Sequence, residues 1–191
     1  IEKNVYSIKT DLDLGEISFK TTGSISTALD TDVSLNVKET DVQKDAVGTG
    51  MEVNVSTIDI EGNIGPHAKV NAKKAIVGGQ THKTSLVRAE DLNIHVHKGM
   101  AYGKKIHITR LEHGVVDGDI IDIAQAMGGD VRGKEIRIEL CGSYVKATAS
   151  KLIEIAKLHS GENVFTIDPL LKKDSQDGVD DTEKEIAELE N

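Results

Sequence analysis

Three aspartates lie close together in the sequence and could serve acid–base chemistry: Asp117, Asp119 and Asp122. A glycoside hydrolase needs two carboxylates about 5–10 Å apart across a substrate cleft, and a calcium-dependent lyase needs clustered acids with basic residues nearby. Nothing else in the sequence places these carboxylates in one cleft, and aromatic residues, on which sugars stack, make up only 3% of the chain. We therefore interpret the aspartates as structural, and we predict no hydrolase, lyase or transferase activity.

The histidines raise the question of a metal site. His95 and His97 have the spacing that puts two side chains on one face of a strand, and His107 follows one repeat later. Catalytic zinc requires a third ligand and a general base in fixed geometry. The sequence contains no His-Glu-x-x-His and no Cys-x-x-Cys motif. We expect solvated surface histidines and no bound metal.

The chain has a single cysteine, Cys141, and no nucleotide-binding fingerprint. One cysteine cannot form an internal disulfide, which favours a reducing compartment. The segment 78–84 contains Lys83-Thr84 but lacks the glycine spacing of a phosphate-binding loop, and no Gly-x-Gly-x-x-Gly occurs. We predict a structural thiol and no cofactor.

Charge and hydropathy narrow the classes of partner. The 191 residues include 23 Lys+Arg and 32 Asp+Glu, a net charge of −9. A nucleic-acid binder needs a basic face to displace counterions from phosphates, so none is expected. No apolar run is long enough to span a membrane, and no signal peptide is visible. We expect a cytoplasmic protein with protein partners, a second copy of the chain among them; because it opens on Ile1, we expect a segment of a longer protein.

The elements that must position these residues are short strands that repeat. Val and Ile number 37 against 13 Leu, an excess that favours β structure. Apolar-x-apolar units recur, and the last four begin at Ile106, Ile121, Ile136 and Ile153. A second series lies between the units, with steps of 14 to 17 residues. This series is Val70, Val87, Ala101, Val116, Val131 and Val145.

Two interleaved series of one period indicate a β-solenoid, in which short strands pair with the coils above and below. Small residues such as Ala72, Ala101 and Ala124 suit a narrow interior. The alternative is a β-sandwich or barrel, but its strands usually recur every 8–12 residues, and the only Asp-Gly hairpin signals begin at Asp117 and Asp177. A left-handed hexapeptide helix would have a strict period of six. We predict an all-β, right-handed parallel β-helix.

The predicted solenoid covers residues 1–168, with the first 15 or so the least regular. Residues 169–191 form a separate charged tail. The segment 183–189 reads as an amphipathic helix. Two interpretations of the tail are open: disorder in isolation, or the first turns of a longer helix.

Aligning the repeat units also predicts a row of outward side chains that stack one above another. The row consists of Asn93, His107, Asp122, Arg137 and Glu154. Opposite charges alternate along its second half, and each cross-strand pair of this kind contributes roughly 0.2–1 kcal/mol. The alternative is a set of independent solvated side chains. We take this row as the candidate exposed ladder of the domain.

The repeat resembles the β-solenoid region of the bacterial flagellar assembly protein A family. The segments that carry the resemblance are 58–64, 68–72, 75–79, 87–94, 114–120 and 128–131. The resemblance covers about residues 15–168 and implies a cytoplasmic, non-enzymatic scaffold or interaction domain linked to flagellar assembly or its spatial regulation. It supplies no catalytic residues. Two other functions stay open: a polymerising scaffold of the bactofilin type and, with less support, a carbohydrate-active β-helix enzyme.

Overall fold

A computed structural model describes residues 5–9, 16–18, 24–26, 34–39 and 44–171. These residues form fifteen strands and no helix. The strands are β1 (Val5–Lys9), β2 (Glu16–Ser18), β3 (Ser24–Ser26), β4 (Ser34–Lys38), β5 (Asp45–Val47), β6 (Glu52–Asn54), β7 (Thr57–Glu61), β8 (Asn63–Ile64), β9 (Lys69–Gln80), β10 (Leu86–His97), β11 (Met100–Glu112), β12 (Val115–Met127), β13 (Gly129–Cys141), β14 (Val145–Leu158) and β15 (Val164–Ile167).

The strands stack in parallel register from β4 onward and build a solenoid of about eight turns, so the predicted parallel β-helix is confirmed. Ile106 pairs with Ile121, and Ile121 pairs with Ile136. The full column on this side of the coil is Leu35, Ile58, Ala75, Leu92, Ile106, Ile121, Ile136 and Ile153. Ile153, on the last coil, is the one member that is only partly buried.

Each regular coil has three sides, as the burial pattern of β12 shows. Val116 and Gly118 point inward on the first side, Ile121 and Ile123 on the second, and Ala126 on the third. Because alternate residues of a strand face opposite ways, the residues between them point to solvent on each side. The chain thus needs about 15 residues to close one coil.

One interior position is too narrow for any side chain. A Cβ added to Gly118 would lie 2.9 Å from the carbonyl oxygen of Gly103 on the preceding coil and 2.9 Å from Cδ1 of Ile106. Gly133 stacks on Gly118 and meets the same geometry one coil later. The glycines recur because the coils approach each other closely here.

Two details of the predicted interior are wrong. Val131 pairs with Ala147 rather than with Val145, which lies beside Gly129. The reason is turn length: residues 142–144 separate β13 from β14, whereas Gly128 alone separates β12 from β13. Ala124 is partly exposed and points outward, since it follows the inward Ile123.

The N-terminal strands depart from the parallel pattern. β1 pairs antiparallel with both β2 and β4. The first strand of the stack therefore carries an antiparallel neighbour on its outer edge. This arrangement covers part of an edge that would otherwise present unpaired N–H and C=O groups.

The structure describes the chain up to residue 171, so the predicted charged tail lies for the most part outside the described residues. Its helical segment, 183–189, lies entirely outside them. Within the described ranges, no helix has the length and apolar character needed to cross a membrane.

Candidate interaction surface

The second side of the solenoid carries the candidate ladder on its outer surface. Strand register places Asn93 beside His107, His107 beside Asp122, Asp122 beside Arg137, and Arg137 beside Glu154. Neighbouring strands lie about 4.8 Å apart, so these side chains form one continuous outward row. Its members come from five successive coils, from β10 to β14.

Arg137 is the only member of the row with ion pairs on both sides. Its guanidinium lies 3.9 Å from Oδ1 of Asp122 on one neighbouring strand and 3.5 Å from Oε2 of Glu154 on the other. A third contact, 3.4 Å long, joins it to Glu135 on its own strand. The Arg137 side chain is 46% exposed. Each pair is therefore worth less than about 1 kcal/mol, because water screens it.

A second outward row runs beside the first and leaves a groove between them. In this row Ala124, Glu139 and Ala156 stack on successive coils. The groove has a volume of about 350 Å³. Its small alanine side chains provide depth, and its charged side chains line the walls. These charged residues are Asp122, Arg137, Glu139 and Glu154. Acids outnumber the single arginine, so the groove favours a cationic group.

The three aspartates do not share a cleft. Asp117 lies on the outside of the first side, beside Arg132 of the next coil. Asp119 lies at the bend between the first and second sides, 3.3 Å from Nζ of Lys134. Asp122 lies on the second side. Each acid thus has a basic residue of the next coil beside it, which balances charge between coils.

The histidine pair is split between surface and core, so the expectation that both are solvated is wrong. His95 is exposed, whereas His97 is fully buried. His95 and Val96 span the bend between the second and third sides, so His97 points inward, as its neighbour Leu111 on the next coil does. No group of three or more His, Cys, Asp or Glu side chains that could hold a metal occurs in the described part of the chain.

His97 is part of a buried polar network with Thr81 of the preceding coil. The Nε2 of His97 lies 3.1 Å from the carbonyl oxygen of Val115 and therefore carries the proton. Its Nδ1 accepts a hydrogen bond of 2.9 Å from the Thr81 hydroxyl. Burial lowers the pKa of His97 from 6.5 to about 4. The imidazole is thus neutral at physiological pH, and both of its ring nitrogens already have hydrogen-bond partners.

The network satisfies backbone groups of the turn between β10 and β11. The Thr81 Oγ also accepts hydrogen bonds from the backbone N–H groups of Lys98 (2.9 Å) and Gly99 (3.3 Å). The coil step shortens here, since Val70 to Val87 spans 17 residues and Val87 to Ala101 spans 14. The 14-residue step is visible in the sequence, but it does not identify Thr81 and His97 as a buried polar pair.

Cys141 lies in the closed interior. It is fully buried and stacks on Ala126. Burial raises the pKa of its thiol, so the sulfur stays protonated at neutral pH and is a poor nucleophile. Its predicted structural role agrees with this position.

A larger groove, of about 590 Å³, lies nearer the N-terminal end of the stack. Its lining includes Glu39, Lys44, Glu61, Asn63 and Gly79. Among the described residues, this lining contains no histidine, cysteine, serine or threonine side chain.

The chain matches no family model, no curated protein and no solved structure.

Proposed function

We propose that the solenoid is a non-enzymatic scaffold that docks a protein partner along its second side. The observation that carries the proposal is the continuous outer face built by the two rows, with a groove between them. Five successive coils hold the first row in fixed register. A stacked backbone of this kind fixes the spacing of its side chains, and repeat folds use such extended faces for binding.

The charge of the groove favours a partner that carries positive charge. Asp122, Glu139 and Glu154 face one basic side chain, Arg137. An extended segment that runs along the solenoid axis and carries Lys or Arg side chains would complement these acids. Such pairing favours a specific register and fast association more than high affinity.

The process we propose is bacterial flagellar assembly or its spatial regulation, in the cytoplasm. The proposed link to flagellar assembly is supported by the resemblance of the repeat segments between residues 58 and 131 to the flagellar assembly protein A family.

Site-specific photo-crosslinking tests the proposal in a flagellated bacterium that encodes the chain. A photoreactive residue at position 124 lies in the groove, and one at position 146 lies on the first side as a control. We expect a flagellar component to crosslink at 124 and not at 146. Charge reversal in the groove, Glu139→Lys, should reduce that crosslink, whereas Glu90→Lys at the bend between the first and second sides should not. Equal crosslinking at both positions, or none to any flagellar component, contradicts the proposal.

Polymerisation of the bactofilin type is the second candidate, and the last coil favours it. Leu158 and Phe165 are 60% and 39% exposed there. Stacking of a second copy on this coil would bury them. Filaments that lengthen with concentration in electron micrographs would support this function over lateral docking. A carbohydrate-active enzyme has less support, because the three aspartates lie on different parts of the coil.

A further inference from the structure

The last described coil of the solenoid ends in a step. β15 pairs with residues 146–149 of β14 and so adds one more strand on the first side. Among the described residues, no strand pairs with the outer edge of β15 or with residues 152–158 on the edge away from β13. The first side is therefore higher than the second by one strand spacing, about 4.8 Å. Both levels of the step present a strand edge, which is a site for association.

The upper level of the step carries large apolar side chains in columns that are narrow elsewhere. Phe165 stacks on Ala147, and Ile167 stacks on Ala149. Phe165 and Ile167 are 39% and 53% exposed. The column below Ile167 consists of Ala89, Gly103, Gly118, Gly133 and Ala149. The narrow interior therefore ends at β15 with two large apolar side chains partly open to solvent.

The lower level exposes the end of the same core. Ile153 and Ile155 are only partly buried, although Ile136 and Ile138, their neighbours on the preceding coil, are at most 2% exposed. On the third side Leu158 is 60% exposed. The whole end of the stack is thus apolar at its inward positions.

The shape of the step is complementary to itself. A twofold axis through the corner between the first and second sides, perpendicular to the solenoid axis, exchanges these two sides between two copies. It also reverses strand direction, because the chain enters this corner along the first side and leaves it along the second. β15 of each copy would then lie antiparallel over residues 153–156 of the other. The two β15 strands would occupy one level and supply two sides of a shared coil.

The spacing of the apolar side chains determines how these strands align. Ile153 and Ile155 are two residues apart on the second side, as Phe165 and Ile167 are on the first. In an antiparallel pair with Ile167 opposite Ile153, Phe165 falls opposite Ile155. Both apolar pairs therefore form in the same register, and both point into the shared coil.

Charged side chains oppose any other register. A shift of two residues places Lys151 opposite Ile167 in one direction and Lys157 opposite Phe165 in the other. Either shift would bring a lysine to an inward position, at a cost in desolvation. In the aligned register Asp168 of each copy lies next to Lys151 of the other, so opposite charges meet at the corner.

We propose that two copies of the chain dimerise end to end through this step, with β15 of each copy paired to β14 of the other. On the third side, which the axis maps onto itself, Leu158 of one copy faces Leu158 of the other. The contact is isologous and closes after two copies, whereas a filament would need a second contact at the opposite end. The dimer is independent of lateral docking, because Phe165 and Ile167 do not line the groove at position 124.

Sedimentation equilibrium of the full chain, over a roughly hundredfold range of concentration, tests the proposal. We expect a monomer–dimer equilibrium with no larger species. Phe165→Glu places a charge opposite Ile155 and should raise the dissociation constant of the dimer about tenfold or more. Met127→Glu is the matched control, because Met127 is 40% exposed but lies three strands away, on β12. It should associate like the parent chain.

An intermolecular disulfide tests the register without disturbing the apolar contacts. In a Cys141→Ala background, Thr166→Cys with Glu154→Cys places outward thiols directly opposite each other across the two copies, at a Cα separation of about 4.5–5.5 Å. Within one copy the two positions lie on different sides of the coil. We expect a covalent dimer on oxidation. Thr166→Cys with Asp122→Cys, two coils further from the contact in the same outward row, should give none.

Three outcomes would overturn the proposal. A monomer at every concentration means that two copies do not share this end. Species that keep growing beyond the dimer mean that the contact does not close. Equal oxidation of the 166–154 and 166–122 pairs means that the copies meet in another register. All three outcomes leave the groove crosslink at position 124 unaffected, so failure of the dimer is distinguishable from failure of the docking function.

Discussion

The hydroxyl of Thr81 and Nδ1 of His97 lie 2.9 Å apart inside a column that is aliphatic at Val47, Ile64 and Leu111. This hydrogen bond joins two coils of different length. Thr81 Oγ uses its remaining acceptor capacity on the turn amides of Lys98 and Gly99. A polar pair in the core thus replaces two aliphatic side chains because a shortened turn has N–H groups to satisfy.

Stability should depend on pH through His97. Its pKa is lowered from 6.5 to about 4 by burial, so between these values the unfolded chain binds a proton that the folded chain does not. The stabilisation is therefore complete above pH 6.5 and is lost as the pH falls towards 4, by on the order of 3 kcal/mol. Urea unfolding at pH 7.5, 5.5 and 4.5 measures it. The variant His97→Leu should lack this component between pH 6.5 and 4.5; an equal slope in parent and variant contradicts the assignment.

Thr81→Val should destabilise the fold by about 3 kcal/mol, because it leaves the amides of Lys98 and Gly99 and the Nδ1 of His97 without their partner. Thr81→Ser retains the hydroxyl and should cost about 1 kcal/mol for the lost methyl group. Denaturant midpoints of the two variants provide the comparison. If valine is tolerated as well as serine, the hydroxyl has no role in the turn.

Gly118→Ala should cost about 1–3 kcal/mol, since the new methyl group would lie 2.9 Å from a backbone oxygen that belongs to the stacked sheet. Gly161→Ala is the matched control, because a Cβ there meets no atom within 4 Å. Thermal unfolding of both variants measures the difference. Equal melting temperatures would show that the coils do not approach as closely as described.

Arg137→Glu should lower stability by about 1–2 kcal/mol. It replaces attraction to Asp122, Glu135 and Glu154 with repulsion from all three. Lys83→Glu makes the same change of charge at an exposed turn residue and should have a shift near zero. The melting temperatures of the two variants decide whether the row acts as a ladder. Small and equal shifts would mean that its members act as independent side chains.

The alternating apolar pattern was sufficient to predict the stack, because corresponding inward positions of successive coils are mostly apolar. Ile106, Ile121 and Ile136 fall in one column for that reason. The pattern failed at Val145, where the length of a turn shifted the register. Turn length depends on backbone conformation, such as the positive φ of Tyr144, which composition does not reveal.

The polar core was not predictable from local sequence. His97 resembles a surface residue until Thr81, 16 residues earlier, is known to face it. A buried polar group is tolerated only when such partners are present. The antiparallel β1 was missed for a similar reason, since its pairing with β2 and β4 is set by the end of the stack rather than by the repeat.

The outer face exists only if the strands keep their parallel register, and disulfide formation between outward positions measures that register directly. In a Cys141→Ala background, Asp122→Cys with Arg137→Cys places two thiols on adjacent strands about 4.8 Å apart, within disulfide range. Asp122→Cys with Glu139→Cys is diagonal, at about 7–8 Å, and falls outside it. We predict rapid oxidation of the first pair and little of the second, quantified by intact mass after alkylation. Preferential oxidation of the 122–139 pair, or of neither pair, would contradict the register and the face built on it.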